Sequence, residues 1–212
     1  MNRKGILVVI SGFSGVGKGT LVRRLMERYK EQYALSVSAT TREPREGEQD
    51  GREYFFRKKE EFEKLIANDE LLEYASYCGN YYGTPKAYVE EQLEAGKDVI
   101  LEIEIQGALN IKEKRPDTFL VYVMPPDART LVDRLTNRGT ETPEKVHERL
   151  TRALEEADEV AKYEFVVIND DLDRSAEELH QLIEVQHNKI DRNLEFISQV
   201  QRELKAYLKG EQ

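Results

Sequence analysis

Residues 6–20 read Ile6-Leu-Val-Val-Ile-Ser-Gly12-Phe-Ser-Gly-Val-Gly-Lys18-Gly-Thr20, and this stretch decides the fold. An unbroken aliphatic run marks a strand buried on both faces, the kind found in parallel sheets. Directly behind it come Gly12, four residues, then Gly17-Lys18, the spacing of a phosphate-binding loop that joins a strand to a helix. In such a loop successive backbone N–H groups point inward at phosphate oxygens, and the helix adds the positive end of its dipole. Gly12, Phe13, Ser14, Gly15, Val16, Gly17, Lys18, Gly19 and Thr20 are therefore candidate nucleotide-binding residues, with Lys18 bridging the β- and γ-phosphates. The plain alternative is a Gly-rich turn with an incidental lysine; strand, spacing and helix together weigh against it. Gly19 stands where the pattern has Ser or Thr, and the hydroxyl follows one place later in Thr20.

Working outward, three more apolar runs read as buried strands: Val99-Ile-Leu101 leading into Ile103, Phe119 to Met124, and Phe165 to Ile168. Helical spacing follows in Leu21/Leu25, Leu131/Leu135 and Leu179/Leu182/Ile183. Strands alternating with helices predict an α/β fold, a parallel sheet core flanked by helices. Residues from about 36 to 88 read differently. Short strand-like pieces (Leu35 to Ser38, Tyr54 to Phe56, Tyr81-Tyr82) surround one helix near 59–68, and Cys78-Gly-Asn-Tyr81 favours a hairpin turn. This segment reads as an insertion of mixed character. The polar stretch Asn137 to Pro143 reads as a loop interrupting the helical pattern.

Composition removes several classes. Among 212 residues, 41 acidic against 32 basic side chains give a net charge of −9, which opposes non-specific nucleic-acid binding. A single cysteine, Cys78, excludes an intrachain disulfide framework. The longest aliphatic run falls far short of a bilayer span, and the first residues lack the pattern of a signal peptide. The expectation is a soluble cytoplasmic protein without nucleic-acid or membrane partners. The three histidines lack metal-ligand spacing and read as surface residues. Near the end, Ile183, Ile190, Ile197 and Leu204 recur every seven residues with no proline between them. That predicts one long helix whose stripe forms either a seam with a second copy or a docking face on its own body.

Further stretches carry a resemblance. They are Ser36 to Glu48 (Ser-Val-Ser-Ala-Thr-Thr-Arg-Glu-Pro-Arg-Glu-Gly-Glu), Asp50 to Phe55, Glu73-Tyr-Ala75, Gly79 to Thr84, Leu101 to Gly107, Arg134 to Glu141 and Val167 to Asp171. In this order, from about residue 5 to residue 183, the chain resembles the guanylate kinases, P-loop enzymes that phosphorylate a nucleoside monophosphate. The resemblance implies transfer of the γ-phosphoryl of ATP to GMP with Mg2+. It implies a core of residues 1–37 and 88–183, an inserted GMP-binding subdomain at 38–87 and a small lid at 137–146; residues 184–212, where the resemblance fades, are left as the helical tail.

By the same resemblance Arg42, Arg45, Tyr54 and Tyr82 hold the acceptor phosphate, which suits the preference of a dianion for planar guanidinium donors. For Tyr54 and Tyr82 a packing role is the alternative. Ser38, Glu73, Gly83, Thr84 and Glu104 bind the rest of GMP. A carboxylate matches the adjacent N1–H and amine donors of guanine and is left unpaired against adenine. The family usually has Asp at position 104. Arg134 and Asn169 lie near the adenine of ATP, while Arg138 and Arg149 close over the phosphates. Lys18, Arg42, Arg138 and Arg149 form the implied catalytic set. Glu102 and Glu104 alternate with Leu101, Ile103 and Ile105, so an extended strand puts both acids on one face. Glu102, with Thr20, is the candidate metal-holding pair, acting through water; a polar outer face of an edge strand is the alternative. Arg152 reads as a surface residue paired with Glu148 and Glu156.

Two rival functions differ in what they require. A guanylate-kinase-like scaffold usually lacks the nucleotide-binding residues, yet Lys18, Arg42, Arg138 and Arg149 are all present. A kinase for another phosphorylated acceptor has no use for Glu73 and Ser38.

Overall fold

The computed structural model describes residues 3–77, 79–136 and 142–209; Cys78, Arg138 and most of the predicted 137–143 loop lie outside them. Leu7–Gly12 forms β1 and Lys18–Arg28 forms α1. In chain order there follow β2 (Tyr33–Leu35), β3 (Ala39–Thr40), β4 (Phe55–Phe56), α2 (Lys59–Ala67), β5 (Leu71–Tyr77) and β6 (Asn80–Pro85). Then come α3 (Lys86–Glu94), β7 (Asp98–Glu102), α4 (Ile105–Lys114), β8 (Phe119–Met124), α5 (Ala128–Thr136) and α6 (Pro143–Ala157). β9 (Phe165–Ile168), α7 (Leu172–Gln186) and α8 (Leu194–Lys209) complete the order.

One sheet runs β2-β7-β1-β8-β9 and every pairing in it is parallel. Within β1 the aliphatic run splits by alternation. Val8 and Ile10, with Ile6 before them, face one core with Leu21 and Leu25 of α1 and Leu179 and Ile183 of α7. Leu7 and Val9 face a second core with Val89 and Leu93 of α3 and Ala108 and Ile111 of α4. This is the α/β architecture expected from the sequence: helices cover both faces because no face of a central parallel strand can be left wet. The chain leaves β1 toward β2 and β7 on one side, and later adds β8 and β9 on the other. The loop after β1 thus sits where the strand order reverses, the place at which open α/β sheets take their ligands.

The second sheet, β4-β3-β6-β5, is built from the inserted region. β5 and β6 pair antiparallel with Tyr77 opposite Asn80, which makes the hairpin expected there. Phe62 of α2 closes this sheet's small core with Ala39 and Leu71.

The structure corrects several expectations. The strand read at Leu35 to Ser38 is instead two: β2 joins the edge of the parallel sheet beside β7, and β3 begins the second sheet. The run Phe165 to Ile168 is a strand, but as the sheet's edge it buries only Val167. The single long tail helix is broken. α7 ends at Gln186, a short 3-10 turn spans Ile190–Arg192, and α8 begins at Leu194. At the break stands His187, which is buried rather than on the surface. Its Nε2 lies 2.9 and 3.0 Å from the two carboxylate oxygens of buried Asp98. His180 is half-buried as well, stacked on Tyr29 and bonded to the Tyr33 hydroxyl. No helix among the described residues is long and apolar enough to cross a membrane.

Candidate active site

The loop from Gly12 to Gly17 delivers Lys18 at the first position of α1. That helix has no side-chain cap at Gly17 and no acidic residue in its first turn, so its leading N–H groups are presented to an anion. Lys18 Nζ donates to the carbonyls of Gly12 and Phe13. Burial pulls its pKa below the usual lysine value, and the carboxylates of Glu156, Glu102 and Glu104 act in the opposite direction. Arg134 donates to the Val16 carbonyl at 3.0 Å and to the Asn169 carbonyl at 2.8 Å, and Asn169 Nδ2 returns to Val16 at 2.9 Å. These contacts frame a cleft of about 300 Å³ that Gly15, Gly17, Thr20, Asp170 and Leu172 also line. Arg149 of α6 donates to Ser14 Oγ at 3.0 Å. Three sequence candidates from three distant segments, Arg134, Arg149 and Asn169, therefore meet the loop.

β7 lies inside the sheet between β2 and β1, which disposes of the edge-strand reading of Glu102. Its carboxylate stands over the loop: a Cβ on Gly19 would lie 3.6 and 3.8 Å from its two oxygens. Burial raises the Glu102 pKa, with Lys18 pulling it back toward ionisation. An acid at the end of a core strand, beside the first turn that carries the Thr20 hydroxyl, is a donor set that fits Mg2+ held through its water shell.

On the acceptor side the backbone of the second sheet gathers the aromatic and guanidinium groups. Arg42 places its guanidinium carbon 5.3 Å from the Tyr54 ring centre and 5.7 Å from that of Phe56. The Tyr54 and Tyr82 rings stand 6.0 Å apart. Arg42 Nη2 meets both oxygens of Glu48 at 2.9 Å, and the Arg45 amide donates to the same carboxylate at 2.7 Å. Glu48 was not among the sequence candidates; its signal was a carboxylate six residues after Arg42 in one Gly-containing loop. Arg45 enters through its backbone, its side chain being exposed. Ser38 adjoins β3, its carbonyl accepting from Phe55 at 2.8 Å.

Glu73 in β5 accepts from buried Thr84 of β6 at 2.8 Å, and burial raises its pKa. It is half-buried in mid-strand rather than a solvated strand end. Gly83 makes this proximity possible, since a Cβ there would fall 2.8 Å from the Glu73 carbonyl oxygen. Glu104 departs from expectation. β7 stops at Glu102, and Glu104 is the N-cap residue of α4, so the two acids do not share a strand face. The chain turns there to start the helix, and the Glu104 carboxylate reaches Arg152 instead.

Comparison with known proteins identifies the family. A family model described as guanylate kinase matches residues 4–186. The chain belongs to the guanylate kinase family. It is 47% identical over 192 residues to a guanylate kinase of Streptococcus thermophilus, covering 91% of this chain and 92% of that one. With a guanylate kinase of Caldanaerobacter subterraneus subsp. tengcongensis the identity is 46% over 203 residues, covering 96% and 98% of the two chains. A crystal structure of guanylate kinase from Anaplasma phagocytophilum superposes with a TM-score of 0.69 at 29% identity, covering 92% and 94%. The family match ends with α7, leaving α8 outside it.

Proposed function

We propose that the chain catalyses its family's reaction, transfer of the γ-phosphoryl of ATP to GMP to give ADP and GDP, with residues 38–87 as the acceptor subdomain and 137–146 as a lid. The observation that carries this assignment of roles is the placement of a half-buried carboxylate, Glu73, against buried Thr84 on the acceptor sheet. A carboxylate withdrawn this far from water gains from hydrogen-bond donors on its second oxygen, and the N1–H and amine of guanine supply them.

The chemistry asks the protein for position and charge more than for proton transfer. An ionised oxygen of the GMP phosphate attacks the γ-phosphorus as the bond to the β–γ bridging oxygen breaks, so no general base is required. Arg42, Tyr54 and Tyr82 orient the acceptor phosphate, with Arg45 approaching from the loop. The loop amides and Lys18 hold the β- and γ-phosphates, and Lys18 leaves its carbonyl partners to do so. Arg134 and Asn169 fix the adenine side. Arg149, together with Arg138 of the predicted lid, spreads the charge of the phosphoryl in flight and excludes water. Glu102 and Thr20 are suited to hold Mg2+ through water, and the ion would supply positive charge to offset that of the triphosphate. A cytoplasmic setting belongs to the same reading, because both nucleotides are supplied there.

ADP formation from Mg-ATP with GMP, AMP, CMP and UMP, on the native chain and Lys18→Ala, tests the assignment. Turnover confined to GMP and lost in the variant supports it. A preference for AMP overturns the role of Glu73, and no turnover with any acceptor returns the scaffold reading.

We also propose that α8 pairs with α8 of a second copy. Leu194, Phe196, Leu204 and Leu208 of this helix are all exposed. Glu195 lies near its start and Lys205 and Lys209 near its end, so an antiparallel pair sets opposite charges against each other.

A further inference from the structure

Arg152 has no role in the reading above. It lies on α6 three residues after Arg149, which contacts Ser14 of the phosphate loop. Arg152 Nη2 donates to Glu104 Oε2 at 2.6 Å, and its Nε donates to Glu156 Oε1 at 3.0 Å on the same helix. Glu156 thereby sets the direction of the guanidinium, and Glu104 receives it from the N-cap position of α4. Glu104 makes no side-chain cap to its own helix, and its carboxylate is taken by Arg152 of α6. α6 thus touches the donor loop through Arg149 and the acceptor side through Arg152.

We propose that Arg152 is a positioning residue for acceptor selection, aiming the Glu104 carboxylate at the base of the nucleoside monophosphate and tying that aim to the placement of Arg149. The inference rests on the assignment of Glu104 to the acceptor site. Two features support it. First, the pair is not a remote surface contact: Lys18, whose pKa burial lowers, also feels the charges of Glu104, Glu156 and Arg152. Second, the lengths are matched. A carboxylate one methylene shorter, as the family usually has at position 104, would keep this 2.6 Å contact only if the guanidinium shifted toward it. Glutamate here and arginine at 152 form one unit. Both side chains are more than half exposed, at 52% and 74%, so the pair adds little to stability and its effect is on orientation.

The test is a double-mutant cycle on steady-state kinetics with GMP and AMP, using Arg152→Ala, Glu104→Ala and both together, with Arg152→Lys as the conservative variant. Arg152→Ala raises KM for GMP about fivefold and narrows the GMP-to-AMP ratio, while KM for ATP moves little. The double variant is no worse than Glu104→Ala alone, and Arg152→Lys recovers part of the loss. If Glu104→Ala raises KM for GMP and Arg152→Ala does not, or if the effects multiply independently, the positioning role is wrong while the acceptor reading stands. A fall in kcat alone on Arg152→Ala overturns it too, because Arg152 then acts on the phosphates. If neither variant changes KM for GMP, the assignment of Glu104 to the acceptor site itself fails.

Discussion

Gly17 and Asn169 meet so closely that no side chain fits between them: a Cβ on Gly17 would lie 2.8 Å from Asn169 Nδ2. The same Nδ2 donates to the Val16 carbonyl, so the residue that follows the edge strand β9 holds the back of the phosphate loop in shape. Gly17 also has φ near +95°, where an L side chain is strained. Gly17→Ala is expected to cost about 1–3 kcal/mol and to lower Tm by roughly 2–10 °C. KM for ATP rises more than KM for GMP, since Asn169 and Arg134 share the cleft that the loop lines. Thermal melting combined with both KM values checks this.

Glu73 gives a pH signature. Burial raises its pKa, so as pH falls the proton arrives at a higher pH than at an exposed glutamate. The neutral acid no longer accepts from both guanine donors, and KM for GMP is expected to climb on the acid side while KM for ATP follows a different curve. In Glu73→Gln that acid limb disappears, and GMP loses about 100-fold or more of its advantage over AMP. Profiles that coincide for native chain and variant contradict the role.

Removing His187 strands a buried charge. Asp98, with a side chain only 3% exposed, would keep the Ile6 amide at 2.7 Å and Arg3 at 3.9 Å as partners. His187→Ala is expected to destabilise the fold by about 3 kcal/mol, with a smaller effect from Arg3→Ala because Arg3 is half exposed. Denaturant titration of both variants measures the difference, and equal losses would contradict it.

The α8 proposal is checked by sedimentation. The native chain is expected to sediment as a dimer or larger, and Leu204→Glu with Leu208→Glu as a monomer of unchanged Tm. Identical sedimentation of the two removes the pairing.

The sequence by itself determined the parallel α/β core and the phosphate loop, because both are written in local pattern. An aliphatic run followed by Gly and Lys at fixed spacing leaves the backbone between Ile6 and Thr20 little choice. The family's motif blocks likewise marked Arg42, Tyr54, Tyr82, Glu73 and Thr84, which the second sheet does bring together in two groups. What the tertiary structure alone decided are the pairings between distant residues. Glu104 looked like the second acid of a strand, but the chain turns into α4 after Glu102 and sends it to Arg152, 48 residues away. His187 looked like a surface residue in a long helix, but it caps the end of α7 and pairs in the core with Asp98, 89 residues away. Alternation and heptad spacing report which face of an element is apolar. They say nothing of where a charged side chain will find its counterpart, and for buried Asp98 that counterpart, His187, lies on a helix that only the tertiary fold brings near.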